Sequence, residues 1–409
     1  MEQQLIPHLF RTEYQKIVSV LYYKFGIDHL EIVEDIVSDT FLSATETWSI
    51  NGVPDNPVAW LYAVAKNKTK NQIKRNSIFE QKIAGEIKST AQKTEETEIN
   101  LSPQNIADSQ LAMMFTVCNP VIPTESQVAL ALNLLCGFST QEIASAFLTN
   151  RDVIYKRISR AKEKLKEAKI KIEQPDSIRI KERLDAVLTT LYLLFSEGYY
   201  SASQNTVLRK DLCLEAMRLC HILTENENTN KPEVNALLAL MCFHASRFEA
   251  RIKDDGEIIL YEEQDTSLWD WPLIEKGTNL LNIASTGNVL SKYHLEAGIA
   301  YWHTIKTDST IKWETILYFY NELLIREYSP IAALNRAFAF SKLRGKEAAI
   351  KETEKLKLTD NHFYNYLLGD LYTGIEDKKA LNYFGTALKQ ATSLADKTII
   401  SKRIQKLIG

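Results

Sequence analysis

The sequence predicts an all-α protein. Only 14 glycines and 10 prolines punctuate its 409 residues. Apolar positions recur at helical spacing from end to end, and strand-like alternation is confined to Glu257-Ile258-Ile259-Leu260-Tyr261, a short hairpin arm or a loop. The length allows two or three domains. Apolar residues at 45% and charged residues at 25% are ordinary for a soluble globular chain.

The first helical module is expected over residues 8–84. Glu34-Asp35-Ile36-Val37-Ser38-Asp39-Thr40-Phe41-Leu42 sets carboxylates on one side of a helix and Ile36, Val37 and Phe41 on another. Asn56-Pro57-Val58-Ala59-Trp60-Leu61 opens a second helix, with Trp60 and Leu61 as core anchors, that runs into Asn67 to Arg75. Residues 85–107 read as a linker, because Lys-Ser-Thr-Ala-Gln-Lys-Thr-Glu-Glu-Thr-Glu offers almost nothing to bury against its ordering entropy.

A second module is expected over residues 108–172. Ser139 and Glu142 have capping-box spacing, and Ile143, Ala144 and Phe147 face inward behind them. Leu148-Thr149-Asn150 makes a short turn, with Thr149 or Asn150 capping the next helix. On that helix Val153, Ile154, Ile158, Ala161 and Leu165 form an apolar stripe, while Lys156, Arg157, Arg160 and Lys164 lie mostly elsewhere. This is the helix-turn-helix plan, whose second helix can enter a major groove.

Local charge supports a nucleic-acid partner where the net charge of −3 does not. From Trp60 to Lys82 there are six bases against one acid, and from Arg151 to Lys171 nine against three. A merely solvated helix face usually mixes its signs more evenly.

Gln174-Pro175-Asp176-Ser177 marks a break, after which residues 178–409 continue as helix upon helix. Leu368-Gly369-x-x-Tyr372 with Ala380-x-x-x-Phe384-x-x-Ala387 fits a tetratricopeptide-like frame. Ala337-x-x-Phe340 with Ala349-x-x-x-Thr353-x-x-Leu356 fits it less well, so stacked helix hairpins are expected there. The five cysteines form no Cys-x-x-Cys pair and sit in apolar stretches, as reduced core residues of a cytoplasmic protein would. No secretory signal and no membrane span are expected.

At these motifs the chain resembles the bacterial RNA polymerase sigma factors of the extracytoplasmic-function, sigma-70 type. Glu34-Asp35-x-x-x-Asp39-x-Phe41-Leu42-x-Ala44-x-x-x-Trp48 is similar to the segment that docks on the β′ clamp helices. The resemblance thus implies core-polymerase contacts from Glu34, Asp35, Asp39, Phe41 and Trp48, with the β flap as a further partner surface. Asn56-Pro57-x-x-Trp60-Leu61-x-x-x-Ala65-Lys66-Asn67 resembles the segment that opens the −10 element, implicating Lys66, Asn67, Lys70, Asn71, Lys74 and Arg75. Glu142-Ile143-Ala144 and Arg157-Ile158-x-Arg160-Ala161 resemble the region that reads the −35 element, implicating Arg151, Tyr155, Lys156, Arg157, Arg160 and Lys162. The family often has Asp where Asn71 stands, usually has Arg at Lys66, and frequently has a Gly in the turn at Thr149-Asn150. The resemblance covers about residues 8–172 and implies a non-enzymatic, cofactor-free protein that acts as a monomer on promoter DNA.

Residues 178–409 are similar to the long helical, tetratricopeptide-like extension of one sigma-factor subgroup, at Phe195-Ser196-Glu197-Gly198-Tyr199, His244-Ala245-Ser246-Arg247, Glu263-Gln264-Asp265-x-Ser267-x-Trp269-Asp270 and Ala333-Leu334-Asn335-Arg336-Ala337. Arg247, Arg251, Asp265, Trp269, Asn335 and Arg336 are its candidate site for a regulatory protein or ligand acting in cis. No nucleophile or metal spacing accompanies them. Two other functions compete with the sigma reading. A polymerase-independent helix-turn-helix regulator with a helical sensing domain would leave the acidic helix without a role. A scaffold would make the basic faces incidental.

Overall fold

The computed structural model describes residues 2–83, 99–147, 149–200, 209–252 and 259–409; at 2–4, 7–8, 11, 30–31, 73–83 and 200 it describes backbone alone. It is all-helical, with no strand among the described residues. Glu257 and Ile258 of the candidate arm lie outside those residues, and Tyr261–Glu263 is a 3-10 turn. The helices fall into two compact units divided between Thr190 and Leu191.

The first unit contains α1 (Glu2–Phe25), α2 (Leu30–Asn51), α3 (Pro57–Ile83), α4 (Pro103–Val117), α5 (Thr124–Leu134), α6 (Thr140–Ala146), α7 (Arg151–Glu167) and most of α8 (Ser177–Tyr200). Ile17, Leu21, Val33, Val37, Phe41, Leu61 and Ala65 knit α1, α2 and α3 together. α4 starts at Pro103, inside the stretch expected to be linker. Ser102 caps it by accepting from the Asn105 amide, and Ile99 is already buried before it. Residues 84–98 of the expected linker lie outside the described residues.

Helix α4 explains why the two basic modules are packed into one unit. Every residue from Ser109 to Val117 is buried, so the helix must be covered on all sides. α1 covers part of it and α5 another part. Gln127 anchors the polar groups beside this core: it donates to the Asn119 and Ile122 carbonyls and accepts from the Thr190 hydroxyl at 3.0 Å.

The second unit holds the end of α8, α9 (Lys210–Glu225), α10 (Pro232–Ala245), α11 (Phe248–Arg251), α12 (Trp271–Ala284), α13 (Lys292–Trp302), α14 (Thr310–Arg326), α15 (Pro330–Arg344), α16 (Lys346–Lys355), α17 (His362–Tyr372), α18 (Asp377–Gln390) and α19 (Leu394–Ile408). α10 is its hub, enclosed by α9, α12 and α13. From α13 onward each helix packs on the next, as a line of helix pairs does. Gly345 and Gly374, both at φ 81°, turn the chain between α15 and α16 and between α17 and α18. The sequence frame is visible in the packing. Ala337, Ala349, Leu368, Ala380, Phe384 and Ala387 share one core, and a Cβ on Gly369 would stand 2.7 Å from the Phe384 ring.

None of the five cysteines forms a disulfide and four are buried. Burial pushes the Cys118 thiol up to about 12, which leaves it an inert core group. No described helix is long and apolar enough to cross a membrane.

Candidate nucleic-acid interface

The local folding of α6 and α7 follows from their caps. Ser139 and Glu142 form the reciprocal box: the Glu142 amide donates to the Ser139 hydroxyl at 3.2 Å, and the Ser139 amide to the Glu142 carboxylate at 2.8 Å. Asn150, not Thr149, caps α7, accepting from the Val153 amide at 2.9 Å. Ile143 and Ala144 of α6 and Ile154, Ile158, Ala161 and Leu165 of α7 are buried. Val153 is not. It is 41% exposed, a correction to the expected stripe, because it sits in the first turn of α7 beside Asp152 and away from the Ile154–Ile158 seam.

This seam fixes which cations face outward. Arg151, Tyr155, Lys156 and Arg160 are exposed, and Tyr155 is 61% so. Arg157 turns aside to Glu125 at the start of α5, 3.3 Å away. Lys162 is half-buried and bonds the Glu34 carboxylate of α2 at 2.8 Å. Four of the six candidate residues on α7 therefore share an open face, and two are engaged by neighbouring helices.

On α3, Asn56 caps the first turn through the Ala59 amide, and Leu61, Ala65 and Thr69 bury one face at a spacing of four. Asn67, Lys70 and Asn71 lie on the exposed side and Lys66 is half-buried. Lys74 and Arg75 continue the same helix, and their side chains lie outside the described residues.

On α2 the expected polymerase-contact set divides. Asp35 and Asp39 are exposed and Glu34 is half-exposed. Phe41 and Trp48 are core residues at 4% and 6% exposure: Phe41 packs edge-on to Phe10, and Trp48 edge-on to Trp60. They hold the helix and do not present a surface. The exposed apolar group beside these carboxylates is Leu42, at 56%, three residues after Asp39 and seven after Asp35; Ile50, also exposed, lies two turns further on. That helical spacing marked it in the sequence, where the larger Phe41 and Trp48 drew attention instead.

In the second unit, Arg247 just before α11, Arg251 at its end and Asn335 of α15 line one cavity. The other three candidates do not. The Asp265 side chain accepts from the Ser267 amide and caps a 3-10 turn. Trp269 is 3% exposed among Tyr261 and Trp271, and Arg336 is held by Asn321 at 2.6 Å and Glu352 at 3.9 Å.

Residues 9–78 match the family model for sigma-70 region 2. Residues 183–285 match a family of unknown function, DUF6596. Over 384 residues the chain is 32% identical to the uncharacterized protein R00370 of Rhizobium meliloti (strain 1021), covering 93% of this chain and 90% of that one. The chain belongs to that protein's family. Its sigma-70 region 2 spans α1, α2 and the first part of α3, so the acidic face of α2 and the polar face of α3 both lie within the match. The DUF6596 segment runs from α8 to α12 and takes in Arg247, Arg251, Asp265 and Trp269. No solved structure matches the chain.

Proposed function

We propose that this chain is a promoter-specific sigma factor that binds core RNA polymerase through α2 and promoter DNA through α3 and α7. The single observation that carries the reading is the open face of α7, where Arg151, Tyr155, Lys156 and Arg160 stand clear on a doubly capped helix pair in the same compact unit as a sigma-70 region 2. A helix with buried Ile154 and Ile158 on one side and these groups on the other has the shape of a major-groove reader. The exposed Asn67, Lys70 and Asn71 would receive the unstacked −10 strand. Opening a base step costs a few kcal/mol, which such a polar, cationic face helps to offset. Asp35, Asp39 and Leu42 make an acidic surface with an apolar centre, suited to a basic helical partner such as the β′ clamp. The helical extension regulates initiation in cis. The 93% span of the Rhizobium relative, which retains both parts in one chain, supports that link.

The test is in-vitro transcription by full-length protein with bacterial core polymerase on a pool of genomic promoters. Discrete initiation sites are expected with the wild type and not with the Lys156→Ala/Arg160→Ala double variant. Initiation by neither protein, while the wild type alone shifts the same DNA without polymerase, would replace this reading with that of a polymerase-independent regulator.

A further inference from the structure

The second unit encloses a cavity of about 940 Å³, within the range of small-molecule sites. The cations that line it differ in how they are paired. Lys292 pairs with Glu327 at 3.2 Å, and Arg403 lies 3.6 Å from Asp370 and 3.9 Å from Glu262. Those cations are neutralised by the protein itself.

Arg247, just before α11, has no such partner among the described residues. Arg247 is only 8% exposed, its guanidinium stands 5.6 Å over the Tyr261 ring, and its Nε has no hydrogen-bond partner. No described carboxylate lies within ion-pair distance of it. Lys306 donates to the Tyr261 and Gln264 carbonyls, and Lys342 rests over the Trp313 and Phe338 rings with no described carboxylate paired to it. Of the carboxylates that line the cavity, Asp308 is held by the buried Lys312 at 3.7 Å and Glu262 lies 3.9 Å from Arg403. Burial, with Arg247 as the next cause, depresses both His244 and His303, the latter to about 3, so neither ring adds or removes charge near neutrality. A desolvated guanidinium with no counter-ion among the described residues is expensive, and an unmet buried donor adds to that cost.

Apolar and aromatic groups stand beside these cations. Trp313, Ile316, Ala339 and Phe338 form an apolar wall in which the Trp313 and Phe338 rings meet edge to face, and the indole Nε1 of Trp313 is a second buried donor without a partner. Among the described residues, a cation and two donors thus have nothing to receive them, next to a surface that water wets poorly.

We propose that this cavity binds a small organic anion, a carboxylate or phosphate group on a flat apolar body, with Arg247 taking the anion and the body lying on the Trp313 wall. Arg247, with Nε and both terminal nitrogens on one plane, suits a bidentate anion. Lys342 adds a second, longer-range charge.

The experiment is calorimetric titration of the full-length protein with 2-naphthoate, 2-naphthyl phosphate and neutral 2-naphthamide. At least one anion should bind about tenfold or more tightly than the amide, the gap expected of one charge-assisted contact. Arg247→Met should close that gap to about twofold, and Lys342→Met should narrow it by a smaller factor. If Arg247→Met does not fold, by its circular dichroism and melting, the Lys342→Met protein decides alone. A naphthoate preference assigns a carboxylate ligand and a naphthyl phosphate preference a phosphate. Equal affinity for amide and anions, an anion preference that survives the folded variants, or no binding by any probe at millimolar concentration overturns the proposal.

Discussion

Lys162 and Glu34 join the helix proposed to read DNA to the helix proposed to dock on polymerase. The contact is 2.8 Å long, with side chains 22% and 35% exposed, and the Tyr22 hydroxyl donates to the same carboxylate oxygen at 2.8 Å. Solvent reaches both groups, so the pair is worth no more than about 1 kcal/mol, or about fivefold in the equilibrium for local opening. Lys166 and Asp28, 3.9 Å apart and well exposed, add little. Glu34→Gln keeps an acceptor for Tyr22 and removes only the charge, and Lys162→Met keeps the stem. Hydrogen exchange of backbone amides, read by mass spectrometry, should then accelerate up to about fivefold in peptides from the start of α2 and the end of α7. Peptides from α12 should be unchanged. Because each substitution removes the same interaction, the double variant should exchange no faster than either single one. Additive acceleration, or none, would refute the pairing as the element that holds α7 to α2.

Other consequences are as direct. Arg160→Ala or Lys156→Ala should weaken promoter binding by the polymerase complex and flatten its salt dependence, with a slope smaller by about one for each phosphate no longer neutralised. Arg157→Ala should do less, because that side chain is partly occupied by Glu125. Asn150→Ala removes the α7 cap and should cost about 1 kcal/mol in urea unfolding of the first unit. Gly369→Ala would drive a methyl into Phe384 and should destabilise the second unit by about 1–3 kcal/mol. Burial pushes the Glu296 carboxyl up from 4.5 to about 7, against the opposing Tyr192 hydroxyl and Lys292 ammonium. A folded-state value above the unfolded one means stability is full below about pH 4.5 and falls as pH rises through about 7. Glu296→Gln should flatten the melting temperature across that window, and an unchanged slope would show that the carboxyl is not buried in solution.

Much of the fold was legible because helices announce themselves locally. The Ser139–Glu142 box, the α7 seam and the Ala380, Phe384 and Ala387 frame all depend on spacings within one or two turns, which sequence states directly. What escaped was set by distance along the chain. Nothing near Lys162 says that Glu34, 128 residues away, will meet it. Likewise no local pattern separates Arg157, drawn to Glu125, from the free-standing Arg160 three residues on. Size also misled. Phe41 and Trp48 look like contact residues because they are large, but an amphipathic helix spends its largest apolar groups on the core and leaves a smaller one, Leu42, at the surface.

The cavity in the second unit marks the same boundary from the other side. Arg247 and Arg251 stood out in the sequence within a gathering of polar residues, and both line it. Lys306, Trp313 and Lys342 did not stand out, since each is an ordinary residue of its own segment and acquires meaning only where α13, α14 and α15 converge. Asp265 and Trp269, equally conspicuous in sequence, turn out to hold the backbone and the core. Arg247 is set apart from both groups as a buried charge with no carboxylate near it among the described residues. A charge that the fold has both buried and left unmatched costs free energy in the empty protein, and such a cost persists only where something outside the chain returns it.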